Sequence, residues 1–410
     1  MTTHAPPTPT PIAPEASPRS LPRPLQIDWV LLGIVLALLT FGLIMVYSTT
    51  FDYGYLTHGD RSYFFRRQIG FALFGLFTLG VAALAPRNLL KLIALPSMFL
   101  ALVLLIIVPF VGEVRFGANR TLFQGSYQPS ELIKLTTLLY LSYWLHTKAD
   151  KLHTFQYGLL PFIFVVGPVV ALILLQPDLS AAITVVTIAM FLFFIAGAEL
   201  LQIVIVALGG GLAAFIILPL FPTGRVRIEE YLTGLNDITQ ASFHVQQGIV
   251  AFVTGGFFGR GLGQSHQKFS ALPTPHTDSI FAIVGEELGV LGATLLIVLF
   301  GLLVWRGMGI ALKSPDRHSA LLAAGITFWV AFEALVNMGV VVAAVPFAGN
   351  ALPFISYGGS SLVINLTAMG ILLNLSRGDP TPKPVRRRSA VVNHRRWNWR
   401  TRVSGPGRRQ

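Results

Sequence analysis

Leu272-Pro273-Thr274-Pro275-His276-Thr277-Asp278-Ser279-Ile280-Phe281-Ala282 is the point where a polar loop runs into an apolar helix, and the rest of the chain is read from it. The run that follows, to about residue 305, is long enough at 1.5 Å per residue to cross a bilayer core of about 30 Å. A carboxylate at such an edge is costly unless something uses it. Glu286 and Glu287 follow in the same predicted helix, and Arg120, Glu131, Lys134 and Asp178 flank other apolar runs. The pattern is that of an all-α, polytopic membrane protein with charged groups gathered near one bilayer face.

Working outward, composition agrees. Of 410 residues 53% are apolar and 12% charged, and the mean hydropathy is +0.66; a soluble globule has about 25% charged residues. Ten candidate spans follow, at roughly 29–50, 67–85, 89–110, 130–147, 157–175, 179–197, 199–221, 279–305, 320–345 and 355–376. Residues 1–28 hold eight prolines and no apolar core, and are expected to be a disordered cytoplasmic arm rather than a cleaved signal peptide. There is no cysteine, which excludes disulfides, thiolate zinc sites and cysteine nucleophiles.

Orientation comes from Lys and Arg in alternate loops. Twenty lie on the side holding both termini and nine on the other, so both termini are expected in the cytoplasm. Eleven of the twenty belong to the tail 377–410; without it the sides are level. In this orientation the long loop 222–278 is extracytoplasmic. Its glycines, Gly255, Gly256, Gly259, Gly261 and Gly263, lack the Lys-Ser or Lys-Thr of a P-loop and the dinucleotide spacing. They are expected to let the apolar stretch 248–258 turn as a re-entrant segment, buried in protein or lining a cavity.

Other enzyme signatures fail. Ser265-His266-Gln267-Lys268 matches S-x-x-K without its K-T-G companion. The nine histidines form no H-E-x-x-H pair, so no metal is indicated. His276, two residues before Asp278, is a candidate to hold a substrate phosphate or else to face water. Glu131 and Lys134, at i,i+3, share a helix face and can pair. Asp178 follows Pro177 at a helix start, where it can cap the first turn and also position substrate or a loop. Asp278 and Glu286 are eight residues apart, offset by about 80°, and can border one cavity; Glu287 points away and is expected to meet another helix. In the segment 346–361 the hydroxyls, with Ser356 and Ser360 as candidates, can bind phosphate or cap the last helix.

Four blocks carry a resemblance: Gly117-Ala118-Asn119-Arg120 with Gln128-Pro129-Ser130-Glu131-Leu132-Ile133-Lys134; Gln176-Pro177-Asp178-Leu179; the run from Gly255 to Lys268 with His276-Thr277-Asp278 and Gly285-Glu286-Glu287-Leu288-Gly289; and the run from Leu352 to Ser361. Over residues 27 to 376 the chain resembles the shape, elongation, division and sporulation family, the FtsW and RodA type of peptidoglycan glycosyltransferase. It looks closer to the division and sporulation branch than to rod elongation. Thr121, Thr274, Ser279 and the pair Ser180-Ala181 depart from the family pattern, Thr121 standing where a tryptophan is usual.

The resemblance implies polymerisation of lipid II on the outer face of the cytoplasmic membrane, with Asp278 essential. A sugar hydroxyl attacks an anomeric carbon whose leaving group is a lipid diphosphate, so a base helps remove the proton and cations help the phosphates leave. Asp278 is the expected base, and Arg120 and Lys134 are expected phosphate or structural partners. The resemblance leaves room for a divalent cation, Mg or Mn, at the diphosphate, although no ligand cluster specifies one. It also implies a single-pass class B penicillin-binding protein, a transpeptidase, as partner, together with other division or elongation proteins. A lipid II transporter is the alternative from another class and would need polar groups along the whole path; a non-catalytic division scaffold would tolerate neutralisation of Asp278. The basic tail, with Trp397 and Trp399 interleaved, is expected to attract anionic inner-leaflet lipid rather than nucleic acid.

Overall fold

A computed structural model describes residues 27–111, 113–115, 118–121, 127–217, 222–270, 276–346 and 349–377. The N-terminal arm to residue 26 and the basic tail from residue 378 lie outside the described residues. In chain order the helices are α1 (Trp29–His58), α2 (Tyr63–Leu84), α3 (Arg87–Val111), α4 (Pro129–Thr147), α5 (Leu160–Leu174), α6 (Leu179–Ile195), α7 (Leu200–Ile217), α8 (Pro222–Asn236), α9 (Phe243–Gly255), α10 (Gln267–Ser270), α11 (Ile280–Lys313), α12 (Arg317–Val341) and α13 (Gly359–Ser376). A two-stranded antiparallel ribbon, β1 (Glu113–Arg115) with β2 (Ala118–Thr121), joins α3 to α4.

Each of the ten apolar runs is occupied by a helix. Seven of the described helices are long and apolar enough to cross a membrane, and two more, Leu179–Ile195 and Leu200–Ile216, are apolar but shorter. The helix starts follow from local chemistry. Asp28, Asp178 and Asp316 each accept a hydrogen bond from an amide in the first turn of α1, α6 and α12. The end of α1 is set by Gly59 at φ 67°.

Burial differs from a water-soluble protein's, because large apolar side chains cover the outside as well as filling the core. Phe74, Phe77, Leu92, Phe164 and Phe215 are exposed, whereas Gln68, Lys134, Asp178, Glu286, Glu287, Glu333 and Asn337 are buried. Polar groups inside and apolar groups outside are what a hydrocarbon solvent selects. The chain is a multi-pass membrane protein.

Two segments depart from the expected spans. The eighth is broken at Gly289, whose φ of 67° and ψ of −165° lie in a region open essentially to glycine alone. The freed main-chain groups are taken by the loop after α9. Arg260 and Gly261 donate to the carbonyls of Glu286 and Glu287 at 3.0 and 2.9 Å, while Val290 and Leu291 donate to those of Gly256 and Phe257 at 3.0 and 3.3 Å. A side chain at Gly259 would strike the Glu287 carbonyl at 2.2 Å, so this approach needs glycine. The expected turn in 248–258 is present in this form: α9 runs to Gly255, and the chain reverses at Gly256 (φ 58°). The last span is shorter than read, starting at Gly359. Residues 350–358 are non-helical and pack inward, with Leu352, Phe354 and Ile355 buried. Gly42 of α1 makes room for them, because any side chain there would meet the Phe354 carbonyl at 2.1 Å.

Candidate active site

The turn before α11 is held by its main chain. Tyr357 N–H donates to the His276 carbonyl at 2.8 Å, Ser356 Oγ to that of Thr277 at 2.7 Å, and Asn337 Nδ2 to that of Asp278 at 2.9 Å. Three consecutive carbonyls are thus fixed by the inward segment 350–358 and by α12. Ser356 is itself oriented by accepting from Leu352 N–H at 2.8 Å, and Gln68 of α2 grips the same segment through the Ser356 carbonyl at 3.3 Å. Asp278, half-buried, therefore enters α11 on a clamped backbone. Ser356 is a clamp here and not a cap of α13, whose cap position is Gly358.

His276 packs among aromatic rings, stacked on Tyr53 at 5.3 Å with Tyr357 at 5.7 Å and Phe64 at 5.9 Å. Burial lowers its pKa from 6.5 to about 4. It is neutral near pH 7, so it offers a phosphate an N–H donor and not a positive charge.

One turn deeper on α12 than Asn337, about 6 Å along the axis, Glu333 takes Lys134 Nζ at 2.5 Å. The same ammonium meets Glu131 at 2.8 Å and lies 5.6 Å from the Trp329 ring centre. The expected i,i+3 pair is present but is a triad carrying a formal charge of −1, and Lys134 is engaged by two carboxylates. Asp178, 2% exposed, does more than cap. It accepts from Ala181 N–H at 3.2 Å, Gln128 Nε2 at 2.7 Å and Ser130 Oγ at 2.8 Å, and Gln128 N–H in turn donates to Ser360 Oγ at 3.2 Å. Ser360 thus ties α13 to the start of α4.

Glu286 and Glu287 are both fully buried and both anchor the loop after α9. Glu286 accepts from His266 N–H at 2.9 Å, from Gln267 N–H at 3.3 Å and from the Ser265 hydroxyl. Glu287 accepts from Ser48 Oγ of α1 at 2.5 Å and lies 3.8 Å from Lys268 Nζ. Glu287 does meet another helix, as its facing implied, whereas Glu286 serves the 265–267 turn. The S-x-x-K match is not a serine–lysine dyad: Lys268 touches Ser265 through its amide N–H at 3.2 Å, and Ser265 gives its proton to Glu286. Arg120 sits on β2, and its side chain lies outside the described residues, as do the side chain of Thr121 and all of Thr274.

Among the described residues no three His, Asp or Glu side chains gather as a metal site. A divalent ion used here would therefore take its ligands mainly from the substrate's phosphate oxygens.

Among the described residues, parts of the four sequence blocks, distant along the chain, are therefore bonded in series, 128–130 to 178 and 360, and 356–357 to 276–277. A family model described as "Cell cycle protein", covering FtsW, RodA and SpoVE, matches residues 28–380. The chain belongs to this family. It is 40% identical over 357 residues to stage V sporulation protein E of Bacillus subtilis, covering 85% of this chain and 97% of that protein. It is 39% identical over 361 residues to a probable peptidoglycan glycosyltransferase FtsW of Trichlorobacter lovleyi, covering 86% and 94%. Among solved structures, RodA of Thermus thermophilus aligns with a TM-score of 0.64 at 26% identity, covering 87% and 98%. A chain from a structure titled "Structural coordination of polymerization and crosslinking by a peptidoglycan synthase complex" aligns with a TM-score of 0.70 at 28% identity, covering 86% and 98%.

Sequence reasoning missed Glu333, Asn337 and Gln68, and took Gln128 only as part of a block, although these side chains join the blocks of this FtsW/RodA-type site. Glu333 carried the available signal: a lone acid in an otherwise apolar span demands a partner. The neutral amides gave none.

Proposed function

We infer that this chain is a peptidoglycan glycosyltransferase that polymerises glycan strands, and we propose Asp278 as its general base. The reaction joins lipid II to a growing glycan on lipid diphosphate. An acceptor sugar hydroxyl forms a bond to the anomeric carbon, the bond from that carbon to the diphosphate oxygen breaks, and the hydroxyl proton passes to the Asp278 carboxylate. Arg120, carried on the ribbon just before α4, is assigned to the departing diphosphate. Lys134 holds α4 against α12 and shapes the site rather than binding phosphate. A divalent ion, when bound, would add charge neutralisation at the diphosphate.

The observation that carries this reading is the clamp on the carbonyls of residues 276 to 278, which joins the turn bearing Asp278 to the segment 352–361 and to α12. Preorganised placement of a base is what proton abstraction from a weakly acidic hydroxyl needs. In this reading both termini lie in the cytoplasm, as the Lys and Arg count of the loops favours, the site faces outward across the cytoplasmic membrane, and a class B penicillin-binding protein crosslinks the strands it makes.

The test is glycan-ladder formation from fluorescent lipid II by the protein purified with its transpeptidase, wild type against Asp278→Asn. Ladders from wild type and none from the variant uphold the proposal. Precursor translocation without ladders would make the protein a transporter, and ladders from both would leave Asp278 without its role.

A further inference from the structure

The end of the bundle opposite Asp278 holds a second polar arrangement that the polymerase reading leaves unused. Asp28, at the start of α1, pairs with Arg306 of α11 at 2.7 Å and is 6% exposed at its side chain. Their sequence neighbours, Trp29 and Trp305, are exposed at 71% and 67%. Tryptophans concentrate at the level of lipid headgroups, so the pair lies at that depth. Beside it opens a cleft of about 140 Å³, lined by Asp28, Arg306, Ile310, Lys313, Leu375 and Arg377.

Three cations face one carboxylate there, a net charge of +2. Asp28 is already engaged, by Arg306 Nε and by Leu31 N–H at 3.1 Å. The C-termini of α11 and α13 point here and favour cations, but the last carbonyls of α13 are occupied. Arg87 donates to those of Asn374 and Leu375 and to the Arg377 carbonyl just beyond the helix. Arg377 also donates to the Ala83 carbonyl. Arg306 uses its inner nitrogen for Asp28, and Lys313 is exposed. Positive charge is therefore left over for an anion from outside. On the lipid side Trp305 and Leu312, seven residues apart on one stripe of α11, are both exposed, Leu312 at 83%. An anion reaching this cleft beside such a stripe is one that carries acyl chains.

We propose that the cleft of Arg306, Lys313 and Arg377 binds the phosphate of an anionic phospholipid from the leaflet at that end of the bundle. The acyl chains then lie along the Trp305–Leu312 stripe. The site belongs to the folded bundle and not to the basic tail.

The experiment is native mass spectrometry of the full chain in detergent, titrated with phosphatidylglycerol or phosphatidylcholine. Wild type is expected to retain phosphatidylglycerol in preference to phosphatidylcholine. Lys313→Glu should weaken the first phosphatidylglycerol about tenfold, and Lys313→Arg should restore it. Replacing Arg386, Arg387 and Arg388 with serine should leave it unchanged, and inorganic phosphate at about 10 mM should not displace it. Equal retention of both lipids, loss confined to the tail variant, or no effect of Lys313→Glu would overturn the proposal. Displacement by inorganic phosphate would reduce the cleft to a small-anion site and overturn it too. Should Lys313→Glu lose helix content, Arg377→Gln is read by the same criteria.

Discussion

Asp278 and Glu287 stand nine residues apart at the entry to one helix, and both are acids in a chain dissolved in lipid, yet the bonds that place them differ. Glu287 is fully buried and is fixed through its carboxylate, by Ser48 at 2.5 Å and Lys268 at 3.8 Å. Asp278 is half-buried and is fixed through its main chain, its carbonyl taken by Asn337 at 2.9 Å and the two carbonyls before it by Ser356 and Tyr357. An acid whose side chain is the anchor stabilises the fold. An acid in a turn clamped at three successive carbonyls has its backbone position set by the main chain. The second arrangement is the one suited to chemistry.

This contrast can be broken by experiment. The largest effect on rate should come from Asp278→Asn, with polymerisation falling by roughly 10² to 10⁴, the usual contribution of a general base. Thermal unfolding in detergent should stay close to wild type, and a matching collapse of stability would erase the distinction. Glu287→Ala should do the reverse. Removing the carboxylate that Ser48 and Lys268 share should cost about 3 kcal/mol, the low end for a broken buried pair, because Lys268 keeps Asp52 at 3.8 Å and two backbone carbonyls. That loss should be visible as a lower unfolding temperature, and an unchanged melt would show that the carboxylate is not an anchor.

Asn337→Ala tests the clamp itself. It removes one of the three carbonyl contacts and frees the Asn350 carbonyl, which Asn337 also holds at 2.6 Å. A drop in kcat on the order of tenfold, with KM little changed, is expected if the turn loosens around a base still present. A rise in KM alone would point to substrate contact instead.

The smallest effect concerns His276, whose pKa is lowered to about 4 by burial. Its folded value lies below the unfolded value near 6.5, so the unfolded chain takes up the proton first. The stability it contributes is present in full above about pH 6.5 and is lost as the pH falls toward 4. The loss is at most about 3 kcal/mol. His276→Phe should flatten that part of the stability curve between pH 6.5 and 4, and parallel curves for the two proteins would refute the assignment.

Much of the helix content was legible because apolar runs near twenty residues admit few other structures in lipid. The capping role of Asp178 followed from Pro177 and a helix start, the Glu131–Lys134 pair from i,i+3 spacing, and the facing of Glu287 toward another helix from helical phase. Each of these rests on neighbours within a few residues. The break at Gly289 was hidden, since a glycine in an apolar helix is common and its φ depends on the loop that replaces the lost bonds. The inward segment 350–358 was read partly as helix because its Leu, Phe and Ile are as apolar as a span. Glu333 and Asn337 escaped for a related reason: their partners are 199 and 59 residues away, and spacing along one helix carries no information about them.

Because the loop from Gly256 to Gly261 closes the gap in α11 with four main-chain bonds, the two stretches are a single piece of architecture separated in sequence. Chimeras between relatives should therefore transplant residues 255–291 as one cassette. A crossover placed between the loop and Gly289 would pair a severed helix with a splint cut for another.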